Sequence, residues 1–179
     1  LSPDSHPAQI LSDIFTIEEI TKRRISKLNI CWIGDSNNVL NSLIEASIKF
    51  SFNLNIGCPK NYNPSKEILN YIKNNIGKVK IFNKANEAIK NADVVLTDKV
   101  ISMNDKVDKK KKIKDFLKFK LNSKLMSLSK DAFLLHCLPR GNEVTDEVFY
   151  GKNSKVWQQA LNRVHVQKSI LLFCLNKLR

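Results

Sequence analysis

The chain has 179 residues, 42% of them hydrophobic, and a formal net charge of +13 from 30 Lys and Arg against 17 Asp and Glu. That length suits one domain with its own core and is marginal for two, and the apolar share argues against a disordered chain. No apolar run approaches the ~20 residues of a membrane-spanning helix, and Leu1-Ser2-Pro3-Asp4 does not open like a secretory signal.

In chain order, the first element is a helix over 6–24, with Pro7 in its first turn, where a missing N–H matters least. Ile10, Leu11, Ile14, Phe15, Ile17 and Ile20 give it a wide apolar face. Residues 28–33 read as a buried strand ending at Gly34, and Asp35-Ser36-Asn37-Asn38 as the turn into a helix carrying Val39, Leu40, Leu43, Ile44, Ile48 and Phe50. A second strand covers 54–58. Pro64 and Ser65 open a helix with Ile68, Leu69, Ile72 and Ile76 at helical spacing, closed by Gly77. Strands at 79–82 and 94–97 flank a short helix at 85–91, and a fifth strand spans 133–136. A helix over 156–175 closes the chain.

Between the fourth and fifth strands lies a Lys-rich helix, in which Val107, Ile113, Phe116 and Leu117 form an apolar stripe beside the run 109–112. The arginines are Arg23, Arg24, Arg140, Arg163 and Arg179, so nearly all the positive charge is Lys, spread along the chain. A solvated helix face fits that run better than a phosphate-tracking surface, and no aromatic pattern for base stacking accompanies it. No nucleic acid and no membrane is expected as a partner.

Alternating strands and helices specify an α/β fold, here a Rossmann-like open, mainly parallel five-stranded sheet with helices on both faces. Such sheets bind ligands beyond the C-terminal ends of their strands. Three polar clusters fall there: 35–38, 98–103 and 136–140. The first lacks the later glycines of a dinucleotide fingerprint; it presents backbone amides to a ligand, or simply caps a helix. Asp98 suits an ammonium-bearing substrate, or is a loop aspartate. His136 and Cys137 are adjacent on an extended chain and so point to opposite sides, which argues against a nucleophilic dyad. Pro139 shapes the loop that follows, with cis and trans both open. His6 and Gln9 share a helix face near an N-terminus, where an anion or a polarised oxygen is favoured.

The four cysteines, Cys31, Cys58, Cys137 and Cys174, have no C-x-x-C spacing, which leaves metal chelation and a disulfide framework with little support. Reduced thiols and a cytoplasmic setting are expected, with Cys31, Cys58 and Cys174 filling core volume.

Taken together, these motifs resemble the aspartate/ornithine carbamoyltransferase family. His6-Pro7-Ala8-Gln9 is similar to its HPxQ element, Asp35-Ser36-Asn37-Asn38 to its GDGNN turn, and Asp98 through Ser102-Met103 to the D-x-x-x-SMG loop of the ornithine branch. His136-Cys137-Leu138-Pro139 matches its HCLP loop, and Asn162-Arg163 its ENR element. HPxQ is weak alone, whereas HCLP with the Ser-Met loop is specific to the ornithine branch.

The resemblance implies transfer of the carbamoyl group of carbamoyl phosphate to the δ-amine of L-ornithine, giving citrulline and phosphate, with no metal or organic cofactor. By position, Asn38, Asp98, Ser102 and Met103 would hold ornithine. His6, Gln9, Cys137, Leu138 and Arg163 would meet carbamoyl phosphate. His6 would polarise the carbamoyl oxygen, while Asp98 and Cys137 would orient the amine.

The sequence departs from the family at Ser36, at Lys99-Val100 and at Asn104, which replaces the glycine after Ser-Met; Asn tolerates a left-handed backbone better than most residues. The family's S-T-R-T phosphate loop is not found, and position 1 is not Met. The expectation is therefore an ornithine-binding half, inactive alone and belonging to a homotrimeric parent. Its parts are an inter-domain helix at 1–24, an α/β domain at 25–155, and a helix at 156–179 packing toward a carbamoyl-phosphate domain. Alternatives are an enzyme acting on putrescine or another ornithine-like amine, and a non-catalytic amino-acid-binding remnant.

Overall fold

The computed structural model describes residues 2–75, 78–101, 108–129 and 131–177. Five short strands, β1 (Asn29–Ile33), β2 (Asn53–Gly57), β3 (Val79–Phe82), β4 (Val94–Asp98) and β5 (Phe133–Cys137), form one sheet in the order β3-β2-β1-β4-β5. Every neighbouring pair is parallel. The expected α/β architecture is therefore present. β1 and β4 lie side by side where the strand order reverses, which opens a crevice beyond their C-terminal ends.

The two faces of the sheet are built by alternation. Ile30 and Trp32 of β1 enter one core with Leu54, Ile56, Val94, Leu96, Phe133 and Leu135, while Cys31 and Ile33 enter a second with Val95 and Leu134. The first core is covered by α1 (Pro7–Thr21) and α2 (Asn38–Lys49), with Ile68 and Ile72 of α3 (Lys66–Asn74) packed against it. The second is covered by α4 (Ala85–Ala88), α5 (Lys109–Phe116), α6 (Ser123–Met126) and α7 (Asp146–Phe149). Gly57 is required where β2 meets α4, since a Cβ there would lie 2.6 Å from Ile33 Cδ1. The last helix, α8 (Val156–Cys174), starts in the second core and runs alongside α1.

Four expectations need correction. The first helix stops at Thr21 because Lys22 adopts a left-handed conformation, φ 53°, with its N–H bonded to the Glu18 carbonyl. Leu11 and Phe15 are exposed, as is Cys174, which therefore fills no core volume. In α5 the buried residues are Lys112 and Phe116, whereas Ile113 and Leu117 face outward; Val107 lies outside the described residues, as do Ile76 and Gly77. Among the described residues, no helix is long and apolar enough to cross a membrane.

Candidate functional site

Two strand ends and one turn meet at the crevice. Asp98 and Cys137 are register partners on β4 and β5, so their side chains project from the same face of the sheet. The turn after β1 supplies Asn37, whose Oδ1 caps α2 by accepting from the Val39 and Leu40 N–H groups at 3.1 Å each. Its Nδ2 donates to Asp98 Oδ2 at 2.7 Å, while the Lys99 N–H donates to Asp98 Oδ1 at 2.7 Å. Burial raises the Asp98 carboxyl above the usual carboxylate range, and the two donors oppose that rise.

The turn is itself anchored from α5. Lys112, 3% exposed, pairs with Asp35 Oδ2 at 2.5 Å, and its ammonium lies 5.9 Å from the Tyr62 ring centroid. Asp35 Oδ1 accepts from the Ser36 N–H, and the Ser36 hydroxyl donates to the Tyr62 carbonyl. The Lys run thus contributes one buried structural charge, unlike the uniformly solvated face that composition suggests.

Cys137 is buried, and burial, reinforced by Asp98 and Asp13, pushes its thiol well above the ordinary range. His136 faces the opposite side, with Nε2 2.8 Å from Glu143 Oε1 and its ring edge-on to Phe149. No thiolate–imidazole dyad exists between them. Alkylation by iodoacetamide near neutral pH is therefore expected to label exposed Cys174 at least ~100-fold faster than Cys137, as followed by peptide mass spectrometry. Comparable rates would mean that Cys137 carries an accessible thiolate.

A second wall comes from α1 and α8. His6 precedes α1, with its backbone N–H bonded to Ser42 Oγ at 2.8 Å. Its imidazole is held below the ordinary value by burial and by the nearby Arg163 guanidinium, so it is neutral at pH 7. Gln9 Nε2 and Gln159 Nε2 both donate to Asp13 Oδ1 at 2.7 Å, and Gln159 Oε1 accepts from the His136 N–H at 2.8 Å. Asn162 of α8 donates to Thr16 Oγ1 and Glu19 Oε2, so the two helices meet through a ladder of amides. An open cleft of about 270 Å³ runs along this wall, lined by Gln9, His136, Leu138, Gln159 and Arg163 among others. Among the described residues, no ion pair neutralises Arg163.

Asp13 is 1% exposed, and burial raises its carboxyl from 3.8 to about 7 despite the two amide donors. The folded chain therefore holds this proton more tightly than the unfolded chain. Stability linked to Asp13 is complete below pH 3.8 and is lost as pH rises toward 7. Urea melts of the wild type against Asp13→Asn are expected to differ over that window by a slope approaching about one proton per molecule. Parallel curves would refute the assignment.

The family described as "Aspartate/ornithine carbamoyltransferase, Asp/Orn binding domain" matches residues 26–174. The chain belongs to the aspartate/ornithine carbamoyltransferase family. It is 43% identical over 175 residues to the ornithine carbamoyltransferase of Methanocorpusculum labreanum, covering 96% of this chain and 57% of that protein. To the ornithine carbamoyltransferase of Rhodopseudomonas palustris it is 44% identical over 178 residues, 98% of this chain and 57% of that one. The crystal structure of anabolic ornithine carbamoyltransferase from Campylobacter jejuni superposes with a TM-score of 0.91 at 39% identity, over 99% of this chain and 61% of that one. The chain thus spans about 57% of the length of these curated relatives.

Within this Asp/Orn-binding domain, Asp98 and Cys137 share one end of the sheet, and Gln9, Leu138 and Arg163 share the cleft, with His6 near Arg163. Asn38 Nδ2 donates to the Ser2 carbonyl at 2.9 Å, and it is the preceding Asn37 that hydrogen-bonds to Asp98. Ser102 and Met103 lie outside the described residues, as does Asn104. The Leu138–Pro139 peptide is cis.

Sequence reasoning missed Asn37 as the Asp98 partner, and it missed Asp13, Gln159 and the Lys112–Asp35 pair. One signal was available for Asp13. Gln9, Ser12, Asp13 and Thr16 recur at helical spacing along a helix whose other face is apolar, and all four are buried. A buried polar stripe implies a second polar element packed against it.

Proposed function

We propose that the chain forms the ornithine side of an ornithine carbamoyltransferase, which moves the carbamoyl group of carbamoyl phosphate to the δ-amine of L-ornithine. The observation that carries this reading is the Asp98 carboxylate, held by Asn37 and the Lys99 N–H beside Cys137, at the mouth of the crevice. A carboxylate there suits a cationic amine. The adjoining cleft offers Arg163 for a phosphate and Gln9 for an amide, and a neutral His6 near Arg163 is available to donate to the carbamoyl oxygen.

The δ-ammonium must lose a proton before its nitrogen can attack, and the Asp98 carboxylate, made more basic by burial, takes it. Asp98 receives the ammonium and orients it; the neutral Cys137 thiol lines the approach without acting as a nucleophile. Nitrogen then bonds to the carbamoyl carbon, the carbon–oxygen bond to phosphate breaks with its electron pair on oxygen, and phosphate takes the nitrogen's surplus proton. Holding both substrates in one cleft supplies much of the rate.

Carbamoyl phosphate needs more positive charge than Arg163 alone, so a carbamoyl-phosphate domain, in the same or another chain, completes the site. Residues 1–24 bridge to it, 25–155 form the ornithine domain, and 156–179 pack toward it. The exposed Trp157, Leu161, Val164 and Phe173 of α8 support that packing. A cytoplasmic homotrimer completes the reading, and the unpaired cysteines fit a reducing compartment. The test is a citrulline assay. The chain with its carbamoyl-phosphate domain is expected to make citrulline from L-ornithine, and the chain alone to bind ornithine by calorimetry without turnover. Preferential carbamoylation of putrescine, or no transfer by the complete enzyme, would sink the proposal.

A further inference from the structure

The amide ladder between α1 and α8 has a direction that can be followed atom by atom. It begins at a group whose polarity is not in question, the backbone N–H of His136, which only donates. Gln159 must turn its carbonyl oxygen toward that N–H, 2.8 Å away. Its Nε2 therefore faces α1, where it donates to Asp13 Oδ1 at 2.7 Å. The same Oδ1 receives a second donor at 2.7 Å, the Nε2 of Gln9. With its nitrogen side turned to Asp13, the Gln9 carboxamide points its Oε1 the other way. That oxygen is buried and has no hydrogen-bond partner among the described residues, although Gln9 lines the cleft that also holds Arg163. A buried acceptor with no donor is costly unless something arrives to meet it.

We infer that Asp13 is a positioning residue, fixing the Gln9 carboxamide so that its carbonyl oxygen, and not its NH₂, is presented to the N–H of a carbamoyl-type ligand. This rests on the proposed carbamoyl-phosphate reading for the identity of the ligand, but the Asp13–Gln9 link stands on geometry alone. Without Asp13 the Gln9 amide could turn over, and a donor would then face the ligand's own N–H groups. The β5 backbone thus sets the polarity of a side chain on α1 through Gln159 and Asp13, and Asp13 need not touch substrate.

Two measurements test it. In the isotope-labelled chain, the Gln9 side-chain amide protons are expected to exchange with solvent at least ~100-fold more slowly than those of exposed Gln167. Asp13→Leu is expected to remove most of that protection, and Asp13→Asn, which keeps an acceptor oxygen, to retain it. Exchange unchanged in Asp13→Leu overturns the link. In the chain assembled with its carbamoyl-phosphate domain, Asp13→Leu is expected to raise KM for carbamoyl phosphate about tenfold or more while KM for ornithine stays within about twofold. Placed on a Gln9→Ala background, the same substitution is expected to add less than about twofold. Equal losses for both substrates, or full additivity, overturn the positioning role.

If Asp13→Leu does not fold, a polarity swap without a cavity replaces it. Gln9→Glu alone sets two carboxyls against each other and is expected to weaken carbamoyl phosphate, whereas adding Asp13→Asn restores a donor and much of the binding. No rescue overturns the proposal. If the wild-type enzyme makes no citrulline, the functional reading falls, and the exchange data still decide whether Asp13 holds Gln9.

Discussion

Asp98→Asn is expected to lower kcat/KM for ornithine in the complete enzyme by about 10³-fold, within the range lost when a positioned proton-handling group is removed. Two effects combine. The substitution removes the only charge that Asp98 can set against an ammonium. It also breaks a local match, because both Asp98 oxygens now accept, one from the Lys99 N–H and one from Asn37 Nδ2. A carboxamide has a single acceptor oxygen, so its NH₂ must face one of those donors. Asn37 would then either lose its bond to residue 98 or shift, and it cannot shift freely because its Oδ1 caps α2. Stability should change far less than rate, since Asp98 is only partly buried. Steady-state kinetics with both substrates varied provide the measurement. Wild-type rates would remove Asp98 from the reaction, and an equal rise in KM for carbamoyl phosphate would make its role structural.

Much of this arrangement was legible in the sequence because β1, β4 and β5 are buried on both faces. A run such as Asn29–Ile33 has nowhere to go but the sheet interior, and Gly34 ends it. The three polar clusters at the strand ends were equally plain, since polar residues directly after apolar strands must lie at the sheet's rim. The opposite facing of His136 and Cys137 followed from extended-chain geometry and is what the two core faces display. The α1–α8 ladder was not legible. Asp13 and Gln159 are 146 positions apart, and nothing local distinguishes a Gln that clamps a backbone amide from one that faces water. Asn37 and Asn38 illustrate the same limit at short range: either could cap the helix, and only backbone direction decides which reaches Asp98. Lys112 was masked by its neighbours, because one buried lysine in a run of four looks like the other three.

That buried lysine leads to the second large expectation. Lys112→Met is expected to destabilise the chain by about 3 kcal/mol, toward the lower end for breaking a buried pair because the Asp35 side chain retains 16% exposure. At this chain length that corresponds to a fall in Tm of about 6–12 °C. The Met stem replaces the packing of the lysine methylenes, so the loss reports the charge and not a cavity. By contrast, removing Arg23 from its pair with Asp93, whose side chains are 52% and 31% exposed, is expected to change stability by less than about 1 kcal/mol. Thermal melts of both variants check the difference, and equal shifts would deny Lys112 its anchoring role. The consequence extends to the site, because Asp35 opens the turn from which Asn37 reaches Asp98. Below its melting point, Lys112→Met should therefore raise KM for ornithine more than KM for carbamoyl phosphate. Lys112→Arg, which preserves the charge, should show a smaller effect of the same kind. A substitution that lowered Tm yet left both KM values unchanged would confine the lysine to stability, and would mean that the Asp35 turn holds its shape without α5.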